Sequence, residues 1–121
     1  MVKALFDTNI LIDYLQGELR AKEELARYAE HIISVITWME VMVGATPNTK
    51  AGTEAFLRSF TVLPLDEKIA ERAVVLRQAK RIKLPDAIIW ASAQVNHCIL
   101  VTRNSKDIPG DEPGVRVPYL L

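Results

Sequence analysis

Short apolar runs alternate with longer stretches of helical periodicity along the whole chain. That alternation limits the fold more than any other feature of the sequence. Residues 2–6 read as a short buried strand, residues 31–35, 61–63 and 98–102 as further strands, and residues 115–117 as a fifth. Between them the apolar positions recur every three to four residues. Residues 9–15 put Ile10, Leu11, Tyr14 and Leu15 on one side and stop at Gly17. Residues 18–30 put Ala21, Leu25, Tyr28 and Ala29 on one side. Thr37-Trp38-Met39-Glu40 opens a short helix that ends near Gly44, and after a turn at Thr46–Thr49 another runs to about Phe60. Asp66 caps a helix over 67–82, with Ile69, Ala73, Leu76 and Ala79 inward. The last helix opens at Leu84-Pro85-Asp86 and is apolar almost all round, which predicts burial. Strands that alternate with helices pair in parallel and are covered on both faces. The expected fold is therefore a three-layer α/β/α sandwich, with a central, mostly parallel sheet of four to five strands. A chain of 121 residues, half of them hydrophobic, fills one such domain, 1–121.

Lys plus Arg and Asp plus Glu each number 15, so the formal net charge is zero. No overall field attracts a polyanion, and one would have to be held by a local basic cluster or by bound metal. The one cysteine, Cys98, sits in an apolar run and reads as a small buried hydrophobe. Asp7 breaks the first apolar stretch too early for a signal peptide, and no run is long enough to span a membrane. A soluble cytoplasmic protein is the expectation.

In open parallel sheets, ligands bind beyond the carboxyl ends of the strands. Four acids fall where that edge is expected. Asp7 directly follows the first strand and Asp107 follows the fourth, while Glu40 and Asp86 lie at helix starts. Each also has an ordinary structural explanation. Asp7 is a helix cap, Thr37 and Glu40 match the capping box Thr-x-x-Glu, Asp86 favours the positive end of its helix, and Asp107 shapes a loop. If the four converge, they need a counter-charge, because two unit charges about 4 Å apart repel by roughly 4 kcal/mol at an effective dielectric near 20. Oxygen donors without Cys or His suit magnesium or manganese better than zinc. Spacing alone leaves both explanations open.

Three motifs decide between them by resemblance. The stretch LFDTNILI (5–12) resembles the opening of PIN-domain nucleases, LPDAIIWASA (84–93) is similar to the helix that carries their third acid, and LVTRNSKDI (100–108) is similar to their last motif. Length and spacing resemble the VapC-type toxins of bacterial and archaeal toxin–antitoxin pairs. The resemblance implies a magnesium-dependent endoribonuclease whose acidic quartet is Asp7, Glu40, Asp86 and Asp107. Asp7 and Asp86 would be the principal metal ligands, Glu40 a ligand or a base for water, and Asp107 a ligand acting through water. It implies polar supports at Thr8, Asn9, Thr102 and Asn104. It also implies a cognate antitoxin and a homodimer. The family's last motif usually reads Asp-Phe, and here it reads Asp107-Ile108, an aliphatic in the same hydrophobic slot.

Lys83 and Arg103 stand close to the acids in sequence and are the expected contacts to an RNA backbone. Trp38 and Trp90 read as core. Met42 and Phe56 look exposed enough to meet a partner, and core packing explains them as well. The competing reading is a non-catalytic PIN-like module that binds RNA or protein, although four unbalanced acids would repel RNA. A phosphoaspartyl enzyme on another doubly wound fold wants a second Asp two residues after Asp7, and Asn9 stands there.

Overall fold

The computed structural model describes residues 2–121. Five parallel strands form the sheet: β1 (Ala4–Phe6), β2 (His31–Ser34), β3 (Thr61–Leu63), β4 (Ile99–Val101) and β5 (Val115–Arg116). Their spatial order is β3-β2-β1-β4-β5. The chain thus builds outward from β1 in one direction, then returns to its other side. The order reverses between β1 and β4, where Phe6 pairs with Val101, and in open sheets that reversal opens a crevice at the carboxyl ends.

Side chains alternate across the sheet, so two cores form. Leu5, Ile32 and Leu100 face α5 (Glu67–Lys80) and α6 (Leu84–Val95), packing with Ile69, Leu76 and Trp90. Ala4, Phe6, Ile33 and Val101 face the opposite layer, which is built from α1 (Thr8–Leu15), α2 (Leu19–Ala26), α3 (Val35–Val43) and α4 (Lys50–Leu57). This is the expected three-layer sandwich. α6 is buried as its composition predicts, and Trp90 is 2 % exposed. Gly17, at φ +86°, turns the chain just after α1, a conformation that suits glycine. No helix among the described residues is long and apolar enough to cross a membrane.

Several boundaries differ from the sequence reading. β2 ends at Ser34, and α3 starts at Val35 rather than Thr37. The Ser34 hydroxyl accepts a hydrogen bond from the Ile36 amide at 3.1 Å, and this cap outweighs the strand preference of Val35. Glu40 therefore lies inside the helix, and Thr37-x-x-Glu40 is not a capping box. α2 stops at Ala26, which leaves Ala29 exposed outside it, and Ala79 on α5 is exposed as well. Trp38 is 39 % exposed and not core. Met42 and Phe56 are half-buried instead of exposed, and the Phe56 ring stacks on Tyr14 with centroids 4.6 Å apart.

Candidate active site

All strands are parallel, so their carboxyl ends share one edge. Asp7 leaves β1 there and caps α1: its Oδ1 accepts the Thr8 amide at 2.7 Å. Its own amide donates to the Val101 carbonyl of β4, which locks the two central strands beneath it. Oδ2 accepts the Thr102 hydroxyl at 2.7 Å and the Asn9 side-chain amide at 3.3 Å. Asp7 is only 3 % exposed, and no Lys or Arg hydrogen-bonds it. Burial, with smaller contributions from the charges of Asp86 and Glu40, pushes its carboxyl up from 3.8 to about 6 despite the hydrogen bonds from Thr102 and Thr8.

The other three acids approach from separate elements. Glu40 projects from α3 and is exposed. The Thr8 hydroxyl lies 2.6 Å from its Oε1 and 3.0 Å from the hydroxyl of Thr37. A hydroxyl has one hydrogen and a carboxylate only accepts, so Thr8 donates to Glu40 and the buried Thr37 donates to Thr8. Asp86 sits in the first turn of α6, after Pro85. Burial raises its carboxyl, the charges of Asp107 and Glu40 add to that, and Lys83 works against them. Asp107 lies in the turn after β4. Its Oδ2 accepts the Asn104 side-chain amide at 3.2 Å, and its backbone amide donates to Asn104 Oδ1 at 3.4 Å. Ile108 is fully buried in the core between the sheet and α5 and α6, and anchors the turn.

The charges of Asp86 and Glu40 thus bear on Asp7, and those of Asp107 and Glu40 on Asp86. Each of the four polar residues next to them hydrogen-bonds one: Thr8 to Glu40, Asn9 and Thr102 to Asp7, and Asn104 to Asp107. Among the described residues, no three acidic, His or Cys side chains already meet at a common cation-binding point. The donors are nonetheless all carboxylate oxygens, and the most buried of them has no cationic partner.

Lys83 is the exposed N-cap residue of α6. Arg103 does not stand free for a phosphate, as the sequence reading expects. Its Nε and Nη2 grip Asp13 at 2.6 and 2.9 Å. Asp13, which that reading missed, is 3 % exposed and also accepts the Tyr119 hydroxyl at 2.8 Å. The signal was present: Asp13 falls one helical turn after Ile10, on the inward face of α1.

A family model for the PIN domain matches residues 4–108, most of the chain. The chain belongs to the PIN-domain family. Its relatives there include VapC proteins. Ribonuclease VapC10 of Mycobacterium tuberculosis is 32 % identical over 113 residues, which cover 87 % of this chain and 85 % of that protein. A toxin–antitoxin complex from Klebsiella pneumoniae contains a chain of 49 % identity and TM-score 0.93, with 98 % of this chain and 100 % of that one covered. The DNA-bound VapBC of Salmonella typhimurium matches at 25 % identity and TM-score 0.79, with 96 % of each chain covered. The PIN fold recognised in this way is the one whose switch point carries Asp7.

Proposed function

We propose that this single-domain PIN protein is a divalent-metal-dependent endoribonuclease and acts as the toxin of a toxin–antitoxin pair. One observation carries the reading. Asp7 is a buried carboxylate without a cationic partner, and it lies within reach of the charges of two further acids. Such a group destabilises the fold unless a cation answers it. Asp7, Glu40 and Asp86 would hold a magnesium or manganese ion, with Asp107 reaching it through water. When bound, the ion supplies positive charge that lowers the pKa of an attacking water and stabilises the leaving oxygen of the phosphodiester.

The remaining steps belong to the chain's own groups. Thr102 and Asn9 fix both the rotamer and the lone-pair direction of Asp7. Thr8, backed by Thr37, turns Glu40 toward the crevice, where it orients the water or takes its proton. Lys83 offers an exposed ammonium beside Asp86 for a backbone phosphate. The ribonuclease relative supports RNA as the substrate.

An apolar groove supports the partner part of this reading. A groove of about 320 Å³ runs between α1 and α3, lined by Ile12, Leu15, Val41, Gly44, Ala45 and Thr53. This apolar face suits the antitoxin implied by the toxin–antitoxin relative, or a second copy of the chain in a homodimer. Both belong to the same proposal, as does a cytoplasmic location.

Purified protein incubated with total RNA is expected to cut it with millimolar magnesium or manganese and to stop when the metal is chelated. Cleavage that is indifferent to chelation would reject the metal, and intact RNA under all conditions would favour a non-catalytic binding module. Glu40→Gln separates chemistry from folding. Glu40 is exposed and caps nothing, so the variant is expected to melt within about 3 °C of wild type while losing cleavage. A clear fall in melting temperature with cleavage intact would return Glu40 to a structural role.

A further inference from the structure

Asp13 is a buried acid that the proposed chemistry does not use. We propose that it is a positioning residue: through Arg103 it fixes the turn that carries Asn104 and Asp107. This rests on the reading that Asp107 belongs to the active site.

Arg103 is held at both ends. Its guanidinium meets Asp13 in a two-pronged pair at 2.6 and 2.9 Å, and its backbone amide donates to Asn9 Oδ1 at 3.1 Å. Both anchors lie on α1, the helix that Asp7 caps. The residue before Arg103 is Thr102, whose hydroxyl donates to Asp7 and accepts the Asn104 amide at 2.9 Å. The residue after it is Asn104, whose side chain holds Asp107 through both its amide nitrogen and its oxygen. One helix therefore sets the place of Asp7 directly and of Asp107 through Arg103. A buried ion pair is a poor source of stability compared with apolar packing of the same volume. What a rigid two-pronged pair adds is direction.

The molecule contains a matched comparison. Glu24 on α2 is 4 % exposed, grips Arg116 of β5 at 2.7 and 3.0 Å, and accepts the Tyr28 hydroxyl at 3.1 Å. The core of the chemistry is the same, a buried acid, a two-pronged arginine and a tyrosine, and Glu24 has in addition the exposed Arg27 at 3.7 Å. Arg116 lies in the sheet, however, and its link to Thr102 is a backbone bond that the Glu24 side chain does not make. A purely structural role predicts that Asp13→Asn and Glu24→Gln behave alike.

The test measures three quantities on both variants: kcat and KM on an RNA oligonucleotide, manganese affinity by titration, and amide exchange at residues 104–108 in metal-free protein. Asp13→Asn is expected to lower kcat ~10-fold and to weaken manganese several-fold, with KM within about twofold of wild type. Exchange at Asp107 and Ile108 should be faster. Glu24→Gln should lose a similar amount of melting temperature and keep kcat, manganese affinity and exchange in the turn. Equal effects of the two variants, or wild-type kcat and exchange in Asp13→Asn, overturn the proposal. If Asp13→Asn does not fold, Arg103→Lys keeps the charge and loses the fork. It should show the same pattern in smaller measure, and wild-type values in it overturn the proposal as well. Asp107→Asn separates the two readings. Wild-type cleavage by that variant rejects the site itself, whereas its inactivity beside a fully active Asp13→Asn rejects only the positioning role.

Discussion

Asp7→Asn is expected to abolish RNA cleavage and, in the same protein, to raise the melting temperature above neutral pH. The two effects have one cause. The Asp7 carboxyl is held at about 6 against 3.8, chiefly by burial, so the native state keeps this proton to higher pH than the unfolded chain does. Between about pH 4 and about pH 6 the native state binds more protons, and stability falls as pH rises through that window. Below the window the group contributes nothing either way. Above it, ionised Asp7 costs the metal-free fold about 3 kcal/mol. Asparagine does not ionise and escapes that cost. Its amide nitrogen meets the Asn9 amide donor where Oδ2 stood, which returns roughly 1 kcal/mol of the gain. The net is about 2 kcal/mol at pH 7.5, or roughly 5–10 °C for a chain of this size. Asp86, also raised by burial and by the charges of Asp107 and Glu40, is present in both proteins, and the loss of the Asp7 charge beside it adds to the gain in the variant. Thermal melts of metal-free wild type and variant from pH 4 to pH 8 should cross: the variant melts a few degrees lower at the acid end, where only the mispaired amide counts, and higher by pH 7. Parallel curves at all pH values would show that Asp7 carries no such cost. Cleavage by the variant would remove it from the chemistry.

The sequence made the middle of the sheet legible because β1, β2 and β4, buried on both faces, leave a plain mark: short apolar runs with helical spacing between them, while the exposed edge strand β3 leaves a weaker one. The places of Asp7 and Asp86 in the fold were legible for a related reason. Asp7 interrupts an apolar stretch at the point where a strand must end, and Asp86 opens a helix with no other polar face. Glu40 was found with the wrong local structure, because Val35 looks like strand while the Ser34 cap that decides the boundary is one hydroxyl long. Arg103 was misjudged for a deeper reason. A cation beside acids in sequence looks free for phosphate, and its true partner, Asp13, lies 90 residues away. Pairings at that range depend on which elements the sheet order brings together, and periodicity does not encode that order. Thr37 was hidden in the same way, since its role runs through Thr8 on another helix.

The cost carried by Asp7 also sets what a cation should do. Millimolar magnesium or manganese at pH 7.5 is expected to raise the melting temperature of wild type by roughly 10 °C, since a ligand at 100 times its Kd stabilises by about 2.7 kcal/mol. At pH 5 the shift should shrink, because Asp7 must first lose a proton that the fold retains there. In Asp7→Asn it should nearly vanish. Sodium chloride at matched ionic strength is the control, because screening alone also relieves repulsion among the acids. The four carboxylates differ in freedom to answer the ion. Asp7 is tied by Thr102, Asn9 and the Thr8 amide, and Asp86 is set by the first turn of a buried helix. Glu40 is exposed on a long side chain, and Asp107 is half-buried in a turn. Binding should therefore draw Glu40 and Asp107 toward a fixed Asp7–Asp86 pair. Amide exchange on adding metal should slow around residues 104–108 and at the start of α1, and hardly change in α5. An equal melting shift at pH 5 and pH 7.5, or one that survives Asp7→Asn, would put the ion elsewhere on the protein and leave the buried carboxylate unexplained.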